Sequence, residues 1–169
     1  MENQFIVDQL ESHIPIFQNL LSAVEEGMPQ WRPEPAKWCL LEIVCHLVDE
    51  EKDDFRKRVR LALYPEQYEL EKFDPLNWVT EHDYMNQNYQ SKIGEWIEER
   101  EKSIQWLRSL KGVNWSSSFE HEHLGTMSAK MMLSNWLAHD YIHIRQITQL
   151  KRAYLQQIGN ENLKYAGRW

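Results

Sequence analysis

The chain has 169 residues, 42% of them hydrophobic, and a formal net charge of −7, which suits a single domain over 1–169 with a real core. The acidic balance excludes a nucleic-acid grip, because displacing counterions from phosphates needs clustered basic surface and the lysines and arginines are not clustered enough to supply it. No apolar run approaches membrane-spanning length, and MENQFIVDQL lacks the basic region and apolar core of a secretory signal, so a cytoplasmic protein without membrane contact is expected.

In chain order, Phe5, Leu10, Ile14, Phe17, Leu20, Leu21 and Val24 recur at three- and four-residue intervals, which predicts an amphipathic helix over 3–26. Pro15 predicts a kink or a break near His13. The stretch QWRPEPAKW at 30–38 reads as a stiff extended connector with aromatic anchors. A second helix follows over 40–63, with Leu40, Val44, Leu47, Phe55, Val59 and Leu63 as its packing stripe and Pro65 as its stop. Cys39 and Cys45, six apart at its entrance, are poorly placed for a disulfide and read as reduced thiols.

Residues 64–77 hold Pro65 and Pro75 and little periodicity, which predicts a long crossover linker. The third helix is expected from Glu81 or Tyr84 to Leu110, with Tyr89, Ile93, Trp96, Ile97, Ile104 and Leu107 inward. Residues 111–125 read as a loop or a small hairpin. Thr126 or Ser128 then caps a fourth helix over 127–155. The aromatics of the tail YAGRW predict that it docks back onto the body. The eight tryptophans at helical spacing read as core or dimer contacts rather than as a substrate cleft.

The chemistry concentrates in WLAHDYIHIRQ, residues 136–146. At 3.6 residues per turn His139 and His143 stand one above the other, in the same stripe as Met132, Trp136, Ile147 and Leu150. Each brings a ring nitrogen that needs a partner away from water. A shared metal ion satisfies both. Two histidines fill half a tetrahedron, so a third ligand should come from another helix, and His46 is the candidate. Glu50, one turn from His46, suits a fourth ligand, an orienting group or a general base. Against that stands the charge run LVDEEKDD, which otherwise reads as a solvated face. Asp53 and Cys39 lie on the line of His46. Asp53 has the weaker case of the two carboxylates, and Cys39 reads as a small buried residue or weak cap. His121 and His123 share one side of an extended segment but sit among glutamates in a loop, which favours an incidental solvated pair. His13 and His82 have no partner at useful spacing.

The order W-x-L-L-E-I-V-x-H-L-x-D-E-E around His46, the long crossover, and H-D-x-x-H-x-x-Q-I from His139 to Ile147 resembles the DinB/YfiT-like superfamily. The resemblance covers nearly the whole chain, with its motifs in the second and fourth helices. It implies an all-α four-helix bundle with a three-histidine site for a divalent metal, often zinc or nickel, and frequently a dimer. The triad carries over to His46, His139 and His143. Where family members often carry serine or threonine after the connector tryptophan, this chain has Cys39. The family it resembles includes thiol-dependent S-transferases, which imply a low-molecular-weight thiol as co-substrate, a mycothiol-dependent isomerase, and many proteins without a known reaction. An ion held by three neutral imidazoles with an open position lowers the pKa of a bound thiol or water. The thiol fits transfer to a small-molecule acceptor; the water, with Glu50 as base, fits hydrolysis. A non-catalytic, metal-pinned, stress-responsive bundle is the reading from a different class. A homodimer is expected because the fourth helix is apolar on two sides, Leu133, Leu137 and Ile144 against Met131, Ala138 and Ile142.

Overall fold

The computed structural model describes residues 2–69 and 75–167. The expected crossover linker at 64–77 and the end of the tail lie partly outside them. Four long helices form the bundle: α1 (Glu2–Ser22); α2, running over 40–63 as Leu40–Asp49, a π-helical turn Glu50–Phe55 and Arg56–Leu63; α4 (Tyr89–Ser109); and α5 (Ala129–Gly159). A short helix α3 (Pro75–Glu81) precedes α4, and an antiparallel hairpin, β1 (Ser118–His121) with β2 (Gly125–Ser128), precedes α5. The all-α expectation therefore holds, with two short strands as a minor addition in the segment read as a loop or hairpin. No described helix is long and apolar enough to cross a membrane.

Several boundaries depart from the periodicity. Pro15 neither breaks α1 nor ends it near His13. It lies on the exposed face, where the Glu11 carbonyl that loses its intrahelical donor can be hydrated. Phe5, expected in the stripe, is 58% exposed, while Ile6, Val7 and His13 are buried. The third long helix starts at Tyr89, not at 81–84, because Asn88 caps it: its side chain accepts from Ser91 N at 2.9 Å. Ser128, not Thr126, caps α5 by accepting from Met131 N at 3.1 Å. Leu163 and Ala166 of the tail line a cleft of about 490 Å³ with Val24 and Tyr154, but Tyr165 points fully into solvent.

The apolar core falls into two clusters. One gathers Phe17, Leu21, Leu40, Ile43, Val48, Trp96 and Ile147; the other gathers Leu10, Phe55, Val59, Ile104, Leu133, Trp136 and Leu137. Along each long helix the residues between the two clusters are polar and buried: His13 on α1, Glu50 and Glu51 on α2, Arg100 on α4, Asp140 and His143 on α5. Burying such groups is costly unless they are paired. This mid-height layer is where the bundle's chemistry lies.

Candidate metal centre

The histidines of α5, one turn apart, are brought against His46 of α2. One nitrogen from each of His46, His139 and His143 lies within 4.8 Å of the other two, and no fourth His, Cys, Asp or Glu joins the group among the described residues. The Nε2 atoms of His139 and His143 are 3.0 Å apart. Tetrahedral zinc with nitrogens at 2.0–2.1 Å would place them about 3.3 Å apart. The Gln146 Oε1 atom accepts a hydrogen bond from His143 Nδ1 at 2.8 Å, which leaves the Nε2 lone pair directed to the centre. Trp38 meets the His46 ring edge-on at 4.9 Å, and Phe55 packs on His139 at 5.0 Å.

The donor set fits a cation. Burial pushes His46 down to about 3, with His143 adding to the effect, and pushes His139 down to about 2, with His143 and His46 adding. His143 is lowered too, burial again being the main cause. All three rings are thus neutral, the state in which imidazole ligates. His46 Nδ1 is buried with no hydrogen-bond partner among the described residues. Such an atom is costly to leave unmade. A divalent ion would take a lone pair from each ring.

Glu50 belongs to the site without joining the ligand group. It is 7% exposed, and its Oε1 stands 3.8 Å from His46 Nδ1, beyond hydrogen-bond reach. Burial, then Asp54, pushes its carboxyl up to about 8, so Glu50 keeps the proton of the pair. Asp54 is tied to Arg58 Nε at 2.8 Å. The charge run is therefore not a solvated face: Asp49, Glu50 and Glu51 are all buried. The π-helical turn explains why, since its extra residue per turn brings both Glu50 and Glu51 inward.

The other candidates fall elsewhere. Asp53 pairs with Lys57 at 3.0 Å on the surface. Cys39 is buried at the start of α2, where its backbone N–H donates to Glu42 Oε2 at 2.8 Å and its thiol meets Met85. His121 and His123 sit at the hairpin, where His121 Nδ1 accepts from the backbone of His123 and Leu124. Two histidines that lacked partners at sequence level have them in space. His13 Nδ1 is 2.9 Å from Asp140 Oδ2, and His82 Nδ1 is 2.7 Å from Asp49 Oδ2, which also accepts from the Tyr84 hydroxyl at 2.6 Å. Separations of 127 and 33 residues carry no local signal.

A four-helix bundle with three histidines gathered between its two apolar clusters defines a class of helical bundle with a candidate metal site. The family model of the DinB superfamily matches residues 9–147, and the chain belongs to that superfamily. Among solved structures it is similar to YfiT from Bacillus subtilis, described as a probable metal-dependent hydrolase with an unusual four-helix bundle topology. The match has a TM-score of 0.77 at 18% identity and covers 89% of this chain and 86% of that one. No curated protein matches the sequence.

Proposed function

We propose that this protein is a metal-dependent enzyme in which His46, His139 and His143 hold a divalent ion, zinc or nickel, that activates a low-molecular-weight thiol for transfer to a small-molecule acceptor. The observation that carries this is the convergence of three neutral imidazoles with no fourth ligand among the described residues. An ion so held keeps its full charge and an open position, and lowers the pKa of a thiol or water bound there. Gln146 orients His143 toward the centre. Trp38 and Phe55 wall the rings and limit water. Glu50, buried beside His46, holds its own proton below about pH 8 and, once ionised, is placed to receive the proton that the nucleophile gives up.

Hydrolysis is the second reading. It is favoured by the same placement of Glu50, which once ionised suits a base for water, and by the description of YfiT. The exposed apolar side of α5, with Met131 at 42%, Tyr141 at 51% and Ile142 at 55%, supports a homodimer. Two free, buried cysteines support a cytoplasmic setting.

Elemental analysis of purified protein tests the metal. Assays of the loaded protein with cysteine, glutathione and coenzyme A against an electrophilic acceptor, and with simple esters, test the reaction. Metal without thiol transfer but with ester cleavage selects hydrolysis; metal with neither selects a non-catalytic bundle; no metal ends the proposal.

A further inference from the structure

We infer that Arg100 is a positioning residue of the metal centre, acting through Asp140 to hold α5 in the rotation that turns His139 and His143 toward His46; this rests on the three-histidine reading above. Arg100 is 1% exposed and reaches three other helices. Its Nη1 and Nη2 donate to Asp140 Oδ2 and Oδ1 at 2.7 and 2.8 Å, its Nε to Glu51 Oε2 at 2.9 Å, and Nη1 also to the Leu10 carbonyl at 3.3 Å. His13 from α1 adds its contact to Asp140, and Trp136 Nε1 donates to the same Glu51 oxygen at 2.9 Å. Each long helix thus contributes to one cluster.

Asp140 directly follows His139 and stands three residues before His143, so a turn of α5 that moves one moves all three. The apolar face of α5 does not set that turn finely, because hydrophobic contact is non-directional. A two-pronged guanidinium–carboxylate pair does, since both bonds need the planes aligned. Stability does not account for the cluster: well-packed apolar residues commonly replace a buried ion pair without loss. Glu51 Oε1 even lacks a partner among the described residues. What the cluster supplies is orientation. It fixes α5 through Asp140, and through Glu51 it fixes the π-helical turn that carries Glu50.

The test uses the full chain and cobalt(II), read by visible absorption and competition with a chelator. Wild type is expected to bind one ion with ligand-field bands of a low-coordinate site. Asp140→Asn and Arg100→Met are expected to bind about 10- to 100-fold more weakly, with shifted bands. Because Arg100→Met leaves two buried acids without their guanidinium, the triple variant Glu51→Gln, Arg100→Met, Asp140→Asn, which removes all three of these charges, carries the test if the single variant does not fold. A triple variant that melts no lower than wild type in chelator yet loses cobalt affinity establishes positioning. Wild-type affinity and an unchanged spectrum in the folded variants overturn it while leaving the metal site intact. Absence of cobalt binding in wild type overturns the three-histidine reading and this inference together.

Discussion

Replacing His143 by alanine should uncouple stability from metal. The substitution removes one of three ligand nitrogens, the 3.0 Å approach to His139 and the bond to Gln146. Because the unfolded chain does not gather these ligands, an ion at about 100 times its Kd adds about 2.7 kcal/mol to folding. For a chain of this size each kcal/mol raises Tm by about 2–4 °C, so metal should raise the wild-type Tm by about 5–11 °C. If losing a ligand weakens binding about 100-fold, the same metal concentration adds only about 0.4 kcal/mol, or about 1–2 °C. Calorimetry in zinc and in chelator, paired with elemental analysis, reads both quantities. His121→Ala and His123→Ala should behave as wild type. Full metal content and an unchanged chelator response in the His139→Ala, His143→Ala double variant would refute the site.

Glu50→Gln keeps the shape of the side chain and removes its ability to take a proton, so metal content should persist while turnover falls by about 10²- to 10⁴-fold; equal loss of metal would make Glu50 a ligand instead. Burial raises both thiols, Cys45 to about 12, so neither should react with a disulfide reagent at pH 8 until the chain unfolds, and fast native-state labelling would contradict their placement. Pro15→Ala restores a donor toward the Glu11 carbonyl inside α1, and urea titration should show stabilisation of about 1–2 kcal/mol; a loss would mean that Pro15 holds the helix in a required bend. Sedimentation at micromolar concentration should give a dimer that Ile142→Glu weakens, whereas a wild-type monomer removes the dimer.

Much of the fold can be read along the chain because helix faces are set by neighbours three and four residues away. The stripe of α2, from Leu40 through Val59 to Leu63, is buried as its spacing requires, and so are Met132, Trp136, Ile147 and Leu150 on α5. The juxtaposition of His139 and His143 is equally local, being one helical turn. His46 could be nominated from its place on an apolar edge and from the family motif. Its approach to the other two depends on how α2 crosses α5, which no spacing within α2 contains.

Contacts across the bundle and a change of helical pitch leave no trace in the local spacing. LVDEEKDD looks like a solvated run when counted at 3.6 residues per turn, but the π-helical turn at Glu50–Phe55 changes the count and takes Glu50 and Glu51 inside. His13 and His82 look isolated because Asp140 and Asp49 reach them only across the bundle. Arg100 gives no sign along α4 that it is among the most buried side chains of the molecule. Its charge is tolerable only where Asp140 and Glu51 meet it. Outside the π-helical turn, the amino-acid order alone determined which residues share a helix face, since that follows from covalent spacing and backbone geometry. The partners of the buried polar groups were decided by the tertiary structure, because a charge or an imidazole can leave water only where another helix brings its complement.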